Sequence, residues 1–125
     1  MNTIVIGTNH NNTLGLIWSL GEAGHDIVLF LYKSVNNYVD KSKYISRTYF
    51  IYDRNEIIDL IKKVASKMNT KPVVFVSNDL DATILNDNYD NLVDYCFFEG
   101  SPSGNVNQYR NKSNSQLNYH NYHLI

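Results

Sequence analysis

The chain has one cysteine among its 125 residues, which excludes an internal disulfide and a four-cysteine zinc site. Net charge is also nearly missing: 11 Lys and Arg oppose 12 Asp and Glu, leaving −1. That balance excludes the strong basic field typical of nucleic-acid and acidic-membrane binders. No apolar run approaches the ~18 residues that a membrane span needs. Met1-Asn2-Thr3 lacks a basic flank, and the apolar run after it is only about four residues long, so it reads as a strand and not as a signal peptide. The expectations are one cytoplasmic, water-soluble domain, no nucleic acid and no membrane. A chain of this length buries roughly two-thirds of its unfolded surface and needs no metal or disulfide to fold. Asparagine clusters (Asn11-Asn12, Asn36-Asn37) and ten tyrosines against one tryptophan fit drift in base composition as well as function.

What is present alternates. Thr3–Gly7 is a β-branched run ended by glycine, hence a buried strand. Leu14, Ile17, Trp18 and Gly21 follow at helical spacing, with Asn12 or Thr13 as cap and Gly24 as the stop. Asp26–Leu31 is apolar on both faces, as in a sheet covered on both sides. A polar stretch with a helical turn near Asp40–Tyr44 leads to a third strand, Arg47–Tyr52. Loss of apolar periodicity over Asn36–Ser42, and again after Gly100, predicts few ordering contacts there. Asp53 and Glu56 form an aspartate version of the capping box. The helix they open places Ile57, Ile61, Val64 and Met68 on one face. Pro72 opens a fourth strand, Val73–Val76. Ser77-Asn78-Asp79 caps a weaker third helix, a further turn follows at Asn86–Asn91, and Tyr95–Phe98 is a fifth strand. Gly100–Gly104 reads as a boundary, and the polar segment from Asn105 to Ile125 cannot build its own core.

Strand–helix alternation predicts an α/β, Rossmann-like three-layer sandwich with a mostly parallel sheet of four or five strands. Right-handed crossovers favour the order 3-2-1-4 with the fifth strand beyond. Ligands in such sheets meet the carboxyl ends of strands at the switch point. Here those ends are the loops Thr8–Asn12 and Ser77–Asp79.

The chemistry at those loops is sparse. After Gly7 the next glycine is Gly15, so the three-glycine dinucleotide pattern fails, and Gly-Lys-Ser/Thr is absent. A turn of Thr8, Asn9, Asn12 and Thr13 opening a helix can still hold an anion through backbone N–H groups, although such turns more often only cap. His10 is a lone loop histidine; His120 and His123 lack a third ligand. Cys96 sits among aromatics and reads as a buried structural thiol. Asp79 and Asp81 invite acid–base or metal roles, but capping accounts for Asp79. Asp87, Asp90 and Asp94 lack the glycine and final glutamate of a calcium loop. No Ser/His/Asp set is suggested by spacing, so no catalytic residue is nominated.

Gly7 followed by Thr13–Leu29 resembles the opening of the ATP-grasp carboxylate–amine ligases, whose first helix carries a Ser-Leu-Gly…Ala-Gly pattern. Trp18 stands where arginine is common. Ser42–Ser46 resembles their Ser-Arg/Lys-Tyr segment, and Val76–Asp79 resembles the end of their fourth strand. Asn111-Lys112-Ser113 resembles the Asp-Lys that opens their linking helix, with asparagine replacing aspartate. The resemblance spans essentially the whole chain. It implies a pre-ATP-grasp domain over residues 1–104 and a linking segment, 105–125, toward a C-terminal ATP-grasp domain. In the whole enzyme ATP and Mg²⁺ turn a carboxylate into an acyl phosphate that an amine attacks; no cofactor and no activity are expected of this chain alone. It also implies that Lys112 reaches ATP phosphates and that the strand-end loops, including Ser77 and Asp79, line the acceptor site. A homodimer is left open. The competing expectation is a stand-alone Rossmann-like module binding a nucleotide or phosphate in the Thr8–Thr13 turn. Flavodoxin-like loops of that kind normally include a glycine, and this turn has none.

Overall fold

A computed structural model describes residues 1–99. In chain order it has β1 (Asn2–Gly7), α1 (Asn11–Glu22), β2 (Asp26–Tyr32), a 3₁₀ turn (Val39–Lys41) and β3 (Ile45–Ile51). A 3₁₀ turn (Arg54–Glu56) then runs into α2 (Ile57–Ala65), followed by β4 (Val73–Val76), α3 (Asp79–Asp87), α4 (Tyr89–Leu92) and β5 (Phe97–Phe98). All strand pairs are parallel, in the order β3-β2-β1-β4-β5. This is the α/β Rossmann-like sandwich that the alternation predicts.

The order follows from the strands' own chemistry. β1 and β2 are apolar on both faces, so both must be covered. Val5, Ile27, Leu29 and Leu31 point to the α1 side, where Ile17 and Val39 meet them. Ile4, Ile6, Phe30 and Ile51 point to the other side, against Ile57 and Ile61 of α2 and Leu85 of α3. Each such buried side chain contributes roughly 1.5–3 kcal/mol of transfer free energy. The chain steps from β1 to β2 to β3 with α1 on one face, then crosses back through α2 on the other. β1 therefore has β2 and β4 as neighbours, and the loops after β1 and β4 diverge at the carboxyl end.

Several local expectations change. His10, not Asn12 or Thr13, caps α1: its Nδ1 accepts from the Asn12 N–H at 3.1 Å. Thr13 is instead fully buried. Within the expected stripe only Ile17 is fully buried, while Trp18 is 52% exposed. β3 begins two residues early, at Ile45, because a bulge inserts Ser46 opposite Ile27 and Val28. The Ser46 hydroxyl donates to the Ile27 carbonyl at 2.8 Å, so the bulge is satisfied locally. Asn78, not Asp79, caps α3, its side chain accepting from the Asp81 N–H at 2.9 Å. Contacts over Asn36–Ser42 are not scarce, since Val39 is fully buried in the α1-side core.

The Asp53–Glu56 capping box forms as predicted, with Glu56 accepting from the Tyr52 and Asp53 N–H groups at 2.7 Å each. Gly24 takes a φ of +88° just beyond α1, a conformation glycine reaches without a Cβ clash. Among the described residues no helix is long and apolar enough to cross a membrane.

Candidate functional site

At the carboxyl end of the sheet, the loop after β1 is tied down by its own side chains. The Asn9 carbonyl oxygen accepts from the Tyr38 and Val39 N–H groups at 2.9 and 3.1 Å. Its amide donates to the Asn36 carbonyl at 2.8 Å, clamping this loop onto the β2–β3 connection. The Thr13 hydroxyl donates to the Ser77 hydroxyl at 3.0 Å, joining the start of α1 to the end of β4. Gly7 makes that junction possible: a Cβ there would run into the Ser77 and Thr13 hydroxyls. Of the four residues predicted to cradle an anion, Asn9 and Thr13 are thus occupied structurally. Thr8 and Asn12 remain exposed.

Beside this junction lies a polar cluster whose acid is Asp81, which the sequence offered beside Asp79 for acid–base or metal work but without the partners it has here. Asp81 is fully buried on the first turn of α3. Its Oδ1 accepts from the Tyr32 hydroxyl at 2.6 Å, and its Oδ2 accepts from the Asn78 amide at 2.7 Å. Arg54 Nε approaches Oδ1 at 3.3 Å. That nitrogen is buried yet makes no hydrogen bond, so its contribution is Coulombic. The guanidinium also sits 5.4 Å from the Tyr32 ring centroid. Burial, then the hydrogen bond to Asp81 and its charge, hold the Tyr32 hydroxyl well above the ordinary tyrosine range, against a lowering by Arg54. With every oxygen of Asp81 engaged, the cluster fastens the ends of β2 and α3 together rather than offering a free base.

A cavity of about 460 Å³ opens on the far side of β4. It exists because β5 pairs only with Val73 and Val74, leaving Phe75 and Val76 without a β5 partner. Phe75, Leu85, Tyr89 and Phe98 line it, together with Ser77, Asn78 and Asp79. The Tyr89 and Phe98 rings pack at 5.5 Å. The structure thus brings Ser77 and Asp79 to one cavity, while Thr8 and Asn9 lie in the loop after β1 and Asn12 and Thr13 at the start of α1, where Thr13 meets Ser77. Lys112, His120, His123 and the segment 105–125 lie outside the described residues. Among the described residues, no group of three His, Cys, Asp or Glu is placed to hold a metal.

Cys96 also borders the cavity, but as a thiol and not a nucleophile. It is 1% exposed, and burial pushes its pKa from 9.0 up to about 11, with a smaller lowering by Lys71. At pH 8 iodoacetamide should therefore alkylate the native chain roughly 100-fold more slowly than the urea-unfolded chain, as a two-unit loss of thiolate requires. Equal rates, followed by mass spectrometry, would contradict the buried setting.

Fold and site together define a Rossmann-like α/β domain with a braced loop after β1 and a cavity at the carboxyl end of β4. No family profile, no curated protein and no solved structure matches this chain.

Proposed function

We propose that the chain is the pre-ATP-grasp domain of an ATP-grasp carboxylate–amine ligase, contributing the acceptor side of the active site. The supporting observation is that segments carrying the resemblance meet in pairs where their small residues are needed. Gly21 of Ser19-Leu20-Gly21 lies against the ring of Tyr44 from Ser42-Lys43-Tyr44, where any Cβ would collide. Gly7 lies in the same way against Thr13 and Ser77. Helix formation alone gives no reason for glycine at Gly21, because glycine weakens a helix.

On this proposal ATP and Mg²⁺ are held by a C-terminal ATP-grasp domain, where ATP chemistry makes an acyl phosphate for the amine. That assignment fits the loop after β1, which has no glycine between Gly7 and Gly15 and so lacks a glycine-rich phosphate cradle. The chain's own share is the pair of strand-end loops and Lys112, whose ammonium suits phosphate oxygens once the next domain closes over it. Dependence on ATP makes the cytoplasm the working compartment.

The test is ATP-dependent ligation by a protein extended beyond Ile125, read as ADP release. Lys112→Ala should lower that rate on the order of 100-fold, as for loss of one electrostatic contact to a transition state. The same change in the 125-residue chain should alter stability by less than about 0.5 kcal/mol. An extended enzyme with its full rate after the change would remove Lys112 from the site. Calorimetry of the 125-residue chain with Mg-ATP should show no tight binding. A dissociation constant near micromolar, roughly −8 kcal/mol, would overturn the proposal in favour of a stand-alone nucleotide-binding module.

A further inference from the structure

The outer side of α1 carries Asn11, Gly15, Trp18 and Glu22, all exposed. They recur every three or four residues, so they form one row along the helix, opposite the side on which Ile17 enters the core. Trp18 leaves 52% of its surface in solvent. One turn before it, Gly15 leaves a gap: a Cβ there would meet nothing within 4 Å. No contact among the described residues therefore calls for glycine at that position, although glycine weakens the helix. A large apolar ring and a hollow of the same face thus stand side by side.

The charges on α1 run against its own dipole. Its one charged residue, Glu22, stands in the last turn, where the dipole is negative, while the first turn has no acid and the last no base. Glu22 makes no ion pair among the described residues. The cation on its flank, Lys43, is stacked on the Tyr44 ring that lies against Gly21. At the other end of the row, Asn11 Oδ1 accepts from the Tyr38 hydroxyl at 2.8 Å, which leaves the Asn11 amide NH₂ to donate.

We propose that two copies of this chain associate through that row, with their α1 helices antiparallel about a two-fold axis and Trp18 of each copy over Gly15 of the other. Such a contact is isologous: each copy supplies both the ring and the hollow. The midpoint between positions 15 and 18 is also the midpoint between 11 and 22. The same axis therefore brings Glu22 of each copy to Asn11 and the first turn of the other copy's α1. There the carboxylate meets an amide donor and the positive end of a helix, the partners its own helix lacks. A parallel pairing would instead set Glu22 against Glu22. One helix face is smaller than the roughly 800 Å² per partner of a standard stable interface, so the dimer is a transient one. Its dissociation constant is on the order of 100 μM. Nothing in this contact rests on the ligase proposal.

Trp18 is the only tryptophan of the chain, so its fluorescence reports on the contact directly. Emission of the 125-residue chain should move to shorter wavelength as concentration rises from about 5 μM to about 1 mM, while sedimentation equilibrium follows a monomer–dimer curve over the same range. Gly15→Gln fills the hollow and should weaken association at least about tenfold, as for loss of a central anchor. Asn11→Asp sets a carboxylate against Glu22 of the other copy and should weaken association about threefold, the scale of an exposed charge pair. Adding Glu22→Lys to Asn11→Asp should restore it. Each of these changes suits an isolated α1, because glutamine is a better helix former than glycine and the new charges match the dipole. Weaker association with unchanged circular dichroism therefore reports the contact and not the fold. A chain that stays monomeric at about 1 mM would overturn the proposal. So would Trp18 emission already at short wavelength in the monomer, which would mean that the chain covers its own indole. Association that survives Gly15→Gln, or that Glu22→Lys fails to restore, would place the contact on another surface or in another register and overturn it equally.

Discussion

Asp81→Asn is expected to lower folding stability by about 2–4 kcal/mol, although it removes no atom from the core. The carboxylate is fully buried and takes three partners, Tyr32, Asn78 and Arg54. An asparagine can keep one carbonyl oxygen toward the Tyr32 hydroxyl. Its amide nitrogen then faces the Asn78 amide, donor against donor. Flipping Asn78 does not repair this, because the Asn78 carbonyl oxygen already caps the Asp81 N–H. Hydrogen bonds to a charged group contribute about 1.5–3 kcal/mol each, and one is lost outright while the other weakens. The Arg54 pair adds less, because its Nε makes no hydrogen bond to Asp81 and the rest of the side chain, 42% exposed, is screened by solvent. For a domain of this size the midpoint of thermal unfolding should fall by roughly 10–20 °C. A change within 0.5 kcal/mol, the range of an ordinary surface substitution, would show that the cluster is not holding β2 to α3.

The same cluster sets a pH dependence. Tyr32 has its ionisation raised in the folded state by burial first, then by Asp81. Below about pH 10, the ordinary tyrosine value, the hydroxyl is neutral folded or unfolded and its stabilisation is fully present. Above that pH the unfolded chain ionises and the folded one does not, so stability falls as pH rises. Cys96 acts in the same direction and earlier, from its ordinary value of 9.0 toward about 11. Stability should therefore begin to fall near pH 9, with the Tyr32 share smaller in Asp81→Asn.

The Tyr32–Asp81 cluster marks the limit of what was legible in the chain, whereas Cys96 was read as buried and is. The strands were readable because each is a short β-branched or apolar run, and the sheet order follows once crossovers are right-handed. Asp81 was not readable as a centre because its partners come from other elements: Tyr32 is 49 residues away. A signal did exist. Tyr32 continues the alternation of Val28 and Phe30 on the α2–α3 side of the sheet, so a phenol at the end of that row needs a buried partner. The cap at His10 was missed because asparagine and threonine are the commoner caps, and both were at hand. β5 is shorter than its apolar run because the Tyr95 and Cys96 N–H groups are taken by the Leu92 carbonyl at the end of α4. That early loss of pairing opens the cavity beside β4, a feature no local pattern announces.

Two glycines in one helix should respond oppositely to the same substitution. Gly15 and Gly21 both lie within α1. Replacing a helical glycine with alanine normally adds about 0.5–1 kcal/mol, because glycine gives up more backbone freedom on folding. At Gly15 a Cβ meets nothing within 4 Å, so Gly15→Ala should give that gain in full. At Gly21 a Cβ would overlap the Tyr44 ring and its Cβ, the base of that side chain and not a tip that can swing aside. Either α1 or the segment leading into β3 must shift, which costs about 1–3 kcal/mol by overpacking and exceeds the helical gain. Urea denaturation should therefore place Gly15→Ala above the parent and Gly21→Ala below it. Tyr44→Gly, which also removes the Cβ, should remove the collision, so that adding Gly21→Ala to it is neutral or stabilising. The double-mutant cycle then carries a coupling of about 1–3 kcal/mol, as for residues in direct contact. Additive effects would mean that Gly21 and Tyr44 do not touch, and with that contact would go one of the two pairings on which the ligase proposal rests.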